Sequence, residues 1–273
     1  MSGFQKARFL FHRITSPLRD YPDFIILGNS FCAKTLLYNY LTQHRLILKN
    51  IFEESAFFVD YYEKGSSWYK ANFPLKIQKS LLKRKSGKIP LVGETINLPY
   101  YEIPERVHKL IPNPKIIVIL RDPIDRAYAS YSSLVKKGIE LLTFEEAVLK
   151  KIDRWADVNQ KLTENQIEGL EEKISTYLSN SIYVYDIKNW IKYFPKEKML
   201  FLKSEDLFEK PLETVNNTLE FLGLEPLVHL VNYSERLENT QLINTKIKED
   251  LNKFFKPYNK LLYELLGCDL GWD

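Results

Sequence analysis

Short apolar runs punctuate the chain, each closed by glycine or by charge and each followed by residues at helical spacing. Phe24 to Leu27 is the first, ending in Gly28 and leading into a helical Thr35 to Gln43. Ile89 to Val92 ends in Gly93 and Glu94, and Ile116 to Leu120 ends in Arg121, Asp122 and Pro123. A short run rich in β-branched residues, without polar alternation, predicts a strand covered on both faces, as in a parallel sheet. Ile103, Val107, Leu110 and Ile111 recur at helical spacing before the third run, so strand and helix alternate. That order predicts an α/β fold with a central parallel sheet flanked by helices.

Beyond the third run the pattern turns helical. Pro123 suits a first helical turn, and Thr143 with Glu146 has the spelling of a capping box that opens a helix at Phe144. After a long insert, Met199 to Leu202 predicts one more strand, with Lys203, Ser204, Glu205 and Asp206 at its C-terminal end and a helix opening near Pro211. Asn244 and Thr245 start a last helix whose apolar positions include Leu251, Phe254, Phe255, Leu261, Leu262 and Leu265. No repeat or linker interrupts this order, so residues 1–273 read as a single domain with residues 1–20 as an N-terminal arm.

Composition narrows the chemistry. The 39 basic residues exceed the 35 acidic ones by only four, too thin a surplus for a general nucleic-acid binder, and no nucleic-acid partner is expected. The two cysteines, Cys32 and Cys268, and the four histidines, His12, His44, His108 and His229, give neither a disulfide framework nor metal-ligand spacing. No metal is expected. No apolar run reaches the roughly 18 residues of a membrane span, and the first residues lack a signal peptide's unbroken apolar core, so a cytoplasmic location is expected. Residues 4–13 set Phe4, Phe9, Leu10 and Phe11 among Lys6, Arg8 and Arg13, which fits a flexible arm or a segment lying on a membrane.

Ligands of such sheets bind beyond the C-terminal strand ends, which directs attention to Gly28–Thr35, Gly93–Thr95, Arg121–Ser130 and Lys203–Asp206. The first segment, GNSFCAKT over residues 28–35, fits the P-loop pattern G-x-x-x-x-G-K-[ST] except that Ala33 replaces the second glycine. This makes the expected architecture a P-loop-like three-layer fold. A turn of that shape aims backbone N–H groups at an anion, and the helix N-terminus and a lysine add positive charge. Ser30, Phe31, Cys32, Ala33, Lys34 and Thr35 are thus candidate phosphate-binding positions. A Cβ at Ala33 opposes the positive φ that glycine adopts freely. The alternative is a plain strand-to-helix connection with Lys34 in solvent. The same residues also hold a broken nucleophile elbow around Ser30, but no histidine is placed to serve it.

The most specific stretch is KIIVILRDPIDRAYASY, residues 115–131. Ordinary P-loop nucleotide hydrolases bring a magnesium-binding aspartate to such a strand, whereas this one ends in Arg121. A guanidinium fork there suits a second phosphate group, or serves as a salt-bridged strand cap. At this point the sequence resembles the sulfotransferases that use 3′-phosphoadenosine-5′-phosphosulfate (PAPS), particularly the heparan sulfate sulfotransferases and their bacterial relatives. The likeness is carried by PDFIILG at 22–28, ESAFF at 54–58, WYKANFP at 68–74, GET at 93–95 and LRDPIDRAY at 120–128. It continues through MLFLKSEDL at 199–207, EFLGL at 220–224 and FKPYNKLLYELLG at 255–267 to DLGW at 269–272.

The resemblance implies direct in-line transfer of a sulfuryl group from PAPS to a hydroxyl or amine of a small-molecule or carbohydrate acceptor, without a metal or a covalent enzyme intermediate. It also sets roles. The family's loop lysine falls on Phe31, its glycine on Ala33 and its first threonine on Lys34, so Lys34 is expected to stabilise the leaving phosphate oxygen instead. Thr35 and the loop amides are expected at the 5′-phosphate. Glu54 takes the general-base position, with Glu53 and Ala56 where the family has lysine and histidine; the alternative is an exposed helical glutamate. Arg121 takes the 3′-phosphate arginine position, and the family serine eight residues later is Ala129, with Ser130 beside it as the candidate. Thr95 stands where relatives often have lysine, and the late basic loop is replaced by NTQLINTK at 239–246. A catalytically degenerate member that keeps nucleotide binding and an ATP-dependent P-loop kinase using Lys34 and Thr35 are the competing readings. The aromatics Phe57, Phe58, Tyr61, Tyr62, Trp68 and Tyr69 read as an acceptor pocket or as core.

Overall fold

A computed structural model describes residues 11–111, 113–159, 177–231, 233 and 243–272. The strands are β1 (Phe24–Leu27), β2 (Ile47–Leu48), β3 (Leu91–Ile96), β4 (Lys115–Leu120) and β5 (Met199–Lys203), all parallel and ordered β2-β3-β1-β4-β5. The helices are α1 (Lys34–Leu41), α2 (Gly65–Lys70), α3 (Lys76–Ser86), α4 (Ile103–Leu110), α5 (Pro123–Lys136), α6 (Phe144–Asn159), α7 (Tyr183–Ile191), α8 (Ser204–Glu209), α9 (Pro211–Leu222) and α10 (Thr245–Leu266).

Three layers follow from the strand pleat, because successive side chains point to opposite faces. Ile25 and Leu27 of β1, with Ile116, Val118 and Leu120 of β4, join a large core with α4, α5, α7 and α10. Their neighbours Phe24, Ile26, Ile117 and Ile119 join a second core with α1 and α9. Both faces are covered, which is why these strands read as unbroken apolar runs. Connections leave β1 towards β3 and β2, and leave β4 towards β5, so the strand order reverses between β1 and β4 and opens a crevice at their C-terminal ends.

Two expectations change. β3 runs through Gly93, Glu94 and Thr95 to Ile96, and Ile89 is exposed, so the ligand-facing end of this strand is Asn97 and not Gly93–Thr95. Residues 11–20 of the predicted arm are folded onto the domain: Ser16 and Arg19 are buried, the Arg19 guanidinium donates to Phe73 O, and His12 Nδ1 donates to Ala71 O at 2.9 Å. The two-residue edge strand β2 is too short to carry a pattern; helix α7, with Val184, Ile187, Trp190 and Ile191 at helical spacing inside the long insert, and the six-residue α8 add to the predicted elements, and a helix opens at Pro211 as expected. Residues 1–10 and 239–242 lie outside the described residues. Among the described residues no helix is long and apolar enough to cross a membrane.

Candidate functional site

The crevice between β1 and β4 is lined by the loop that the sequence singles out. Gly28 is required there, since a Cβ would sit 2.9 Å from Ile119 O on the neighbouring strand. The chain then turns through Phe31 (φ 72°) and Ala33 (φ 61°), both left-handed without being glycine, before α1 begins at Lys34. Ala33 thus adopts the backbone conformation its Cβ opposes, at a cost of about 1–2 kcal/mol for each such residue. No side chain caps α1. Its first N–H groups therefore point out of the loop without intrahelical partners, as in an anion-binding helix terminus.

Ser30 and Phe31 are exposed at the tip of the loop, Ala33 and Thr35 are half-buried, and Cys32 is buried. The Cys32 thiol lies 3.7 Å from the Tyr183 hydroxyl inside the core, and burial pushes its pKa up. Only its backbone belongs to the loop surface. The Ser204 hydroxyl, 2.8 Å from Cys32 O and 2.9 Å from Leu120 O, ties the loop to the end of β4. Asn29 donates across to Asn180 O at 2.5 Å.

Lys34 does not extend into solvent. Its side chain is 8% exposed and its Nζ stands 3.1 Å from Glu54 Oε2 and 2.6 Å from Asn97 Oδ1. Asn97 Nδ2 in turn donates to Glu54 Oε1 at 2.6 Å. The ring closes only one way: the ammonium has donors alone and the carboxylate acceptors alone, so the amide must offer oxygen to one and nitrogen to the other. Asn97 went unseen in the sequence because β3 overruns the glycine at which a strand was expected to stop.

Glu54 is placed from the backbone. It stands before the short π-helix Phe57–Tyr61 rather than on a helix face, and is half-buried. Glu53 O accepts from Thr95 N at 3.3 Å and Thr95 Oγ1 at 3.0 Å, so the residue standing where relatives often have lysine pins this segment to β3. Behind it, buried Glu94 accepts from the Ser55 and Tyr69 hydroxyls. Burial raises the Glu94 pKa to about 7 against the lowering effect of these two hydroxyls. The aromatics divide: Phe57, Phe58 and Tyr69 are core, whereas Tyr61 is 38% exposed and packs on Trp68 at 4.9 Å between centroids.

Arg121 leaves the end of β4 with its side chain buried. Nη1 donates to Phe31 O at 3.1 Å, and the Tyr183 hydroxyl holds the Arg121 carbonyl at 2.8 Å. Its Nε and Nη2 are buried with no partner among the described residues. Two buried guanidinium donors are expensive to leave unpaired, and here they are free to meet an anionic ligand or a water. Asn29 Oδ1 in the loop and Glu205 Oε2, on the carboxylate that takes the Asp122 N–H, are likewise unpaired among the described residues. Asp122 caps α5 through Ile124 N and Asp125 N and gives its own N–H to Glu205. On α5, Ala129 is buried and Ser130 is half-buried.

The geometry brings Lys34, Glu54 and Asn97 together at one end of the sheet, with the uncapped helix terminus and Arg121 flanking the same loop. This arrangement can bind an anionic ligand at two points and hold a carboxylate beside an ammonium. The family model of the sulfotransferase domain matches residues 22–256. Human heparan sulfate glucosamine 3-O-sulfotransferase 3B1 is 23% identical over 280 residues, covering 93% of this chain and 66% of that protein. Mouse heparan sulfate glucosamine 3-O-sulfotransferase 6 is 24% identical over 281 residues, covering 93% and 75%. The chain thus spans about two thirds of the length of the 3B1 relative. The crystal structure of a sulfotransferase from Alicyclobacillus acidocaldarius superposes with a TM-score of 0.66 at 24% identity, covering 93% of this chain and 99% of the other, and shares the fold.

Proposed function

The chain belongs to the sulfotransferase family, and we propose that it moves a sulfuryl group from PAPS to a hydroxyl or amine acceptor by direct in-line transfer. Arg121 carries the reading: a buried guanidinium with two unpartnered nitrogens, held by the carbonyl of the loop itself, fits a second phosphate group. When bound, PAPS supplies an activated sulfuryl group on its 5′-phosphate. Arg121 holds the 3′-phosphate, with Ser130 on α5 as a candidate partner. Thr35, the uncapped N–H groups of α1 and the loop amides of Ser30 to Ala33 hold the 5′-phosphate.

Lys34 serves as the cation near the leaving phosphate oxygen, in place of a lysine at Phe31. Its present contacts suggest how the two catalytic groups cooperate. An anion at the loop competes with Glu54 for the ammonium; once Lys34 turns to it, Glu54 keeps its Asn97 contact and Oε2 is left to take the acceptor's proton. Asn97 is a positioning residue, holding Glu54 in place while Lys34 moves. No metal enters these steps. The half-exposed Tyr61 and Trp68 suit a carbohydrate or small-molecule acceptor.

Titration calorimetry with 3′,5′-adenosine bisphosphate tests the reading. The native chain binds without Mg²⁺, and Arg121→Ala loses at least about a hundredfold in affinity, as expected for two charged hydrogen bonds. Unchanged affinity in that variant overturns the assignment, and binding of ATP only with Mg²⁺ restores the kinase alternative. With labelled PAPS and a panel of acceptors, Lys34→Ala and Glu54→Gln lower turnover by about a hundredfold or more, and Asn97→Ala lowers it with nucleotide affinity unchanged. One observation favours a degenerate member instead: Phe31 replaces the loop lysine and is 39% exposed. Nucleotide binding without turnover on any acceptor decides for that reading.

A further inference from the structure

At the opposite end of the sheet lies a face that the proposed reaction does not use. Residues 19 and 75 form an isolated antiparallel bridge, and Lys76 pairs with Asp20 at 3.3 Å, so the folded segment 11–20 runs beside the start of α3. Lys79 pairs with Asp23 at 2.8 Å, just before β1, and α3 leads into the N-terminal end of β3. This places the face below the strands, whereas the candidate site lies above them.

Its side chains are unusual for a free surface. None of the 11 residues of α3 is buried. Leu75, Lys79, Leu82 and Ser86 turn partly inward at helical spacing, which leaves Ile77 and Leu81 outward, one turn apart. Phe11, Ile14, Leu18, Ile77, Leu81 and Ile89 are each between 57% and 73% exposed. The charge is mostly basic as well: Lys76, Lys79 and Lys88 pair with Asp20, Asp23 and Glu225, while Lys83, Arg84 and Lys85 stand exposed. Residues 75–90 contain Lys76, Lys79, Lys83, Arg84, Lys85 and Lys88 and not one acidic residue, in a chain whose whole surplus is +4. Arg13 adds another exposed cation beside Ile14.

We propose that this face docks on an anionic membrane surface, with Ile14, Leu18, Ile77 and Leu81 entering the headgroup boundary and the cations meeting acidic lipid headgroups. Charge complementarity alone would suit any polyanion. The large exposed apolar side chains select the membrane, because a soluble acidic polymer offers them no apolar phase, whereas an interfacial helix uses both features at once. Residues 11–13, the described part of the segment that reads as a possible membrane contact in the sequence, belong to this face. Docked this way, the molecule turns the C-terminal ends of its strands, and with them the candidate site, away from the bilayer.

Co-sedimentation with large unilamellar vesicles tests the proposal. The native chain binds vesicles of phosphatidylcholine with about 30% phosphatidylserine and does not bind pure phosphatidylcholine. The double variant Ile77→Ser, Leu81→Ser binds at least about tenfold more weakly, as removal of two partly inserted aliphatic side chains requires. The triple variant Lys83→Gln, Arg84→Gln, Lys85→Gln loses about a hundredfold, since each basic residue near an anionic surface contributes about fivefold. Both keep the native melting temperature, because every replaced side chain is exposed, and both keep affinity for 3′,5′-adenosine bisphosphate. Failure of the native chain to bind the anionic vesicles overturns the proposal. So does binding that the serine pair leaves undiminished while soluble heparin competes fully, which would make the face a polyanion site.

Discussion

At the scale of single residues, the loop adopts left-handed backbone at Phe31 and Ala33, neither of them glycine. Reading the loop as a P-loop with a missing glycine correctly locates the trouble at Ala33 but not its resolution, since the structure shows that alanine accepts φ 61°. The surrounding contacts hold it there: the Ser204 hydroxyl at Cys32 O, Arg121 at Phe31 O and Asn29 at Asn180 O. Relief of the left-handed alanine gives about 1–2 kcal/mol, and the greater freedom of glycine in the unfolded chain takes back about 0.5–1 kcal/mol. Ala33→Gly is therefore expected to stabilise the protein by up to about 1 kcal/mol, raising the urea midpoint at constant slope. A lower midpoint would show that the Ala33 methyl contributes packing that outweighs the strain.

At the scale of elements, Gly93 explains both an error and a constraint. Glycine inside an apolar run reads as a strand end, yet here it lies mid-strand opposite Phe24, whose ring occupies the space a side chain would fill. A Cβ on Gly93 would come within 2.2 Å of that ring, so Gly93→Ala is expected to destabilise by at least about 1–3 kcal/mol, read as a drop in melting temperature. An unchanged melting temperature would mean that Phe24 has another rotamer open to it. β1, β4, β5, α5 and α10 were legible because their signals are local: unbroken apolar runs, Pro123 at a helix start, Asn244 at a cap. The Lys34–Asn97–Glu54 ring was only partly so. Lys34 and Glu54 stand in recognisable segments, whereas Asn97 depends on where β3 ends, and the hydroxyls that make a buried Glu94 tolerable come from Ser55 and Tyr69, 39 and 25 positions away. Such pairings are products of the tertiary fold, and local periodicity carries no trace of them.

At the scale of the whole molecule, the buried carboxylates make stability depend on pH in a definite direction. Burial raises Glu94 to about 7, and it raises Asp122 to about 6 with help from Asp125. Asp186, buried near Arg126, is raised to about 7, burial outweighing the arginine's lowering effect. Each holds its proton more tightly folded than unfolded, so the folded state binds more protons between the ordinary carboxylate range and pH 7. The stability these three carboxyls contribute is then fully present below about pH 4, falls as pH rises and is lost above about pH 7. For Glu94 the difference between 4.5 and about 7 corresponds to on the order of 3 kcal/mol. Urea unfolding between pH 5 and pH 8 should show this decline, and Glu94→Gln, which keeps polar atoms for Ser55 and Tyr69 but cannot ionise, should flatten it by a kcal/mol or more. A variant whose pH dependence matches the native chain would mean that Glu94 is already ionised in the fold at pH 5. The same variant bears on the site: Ser55 and Glu53 are pinned by neighbouring residues of β3, so a wild-type affinity for 3′,5′-adenosine bisphosphate in Glu94→Gln separates the proton held under Glu54 from the anion-binding function of the loop.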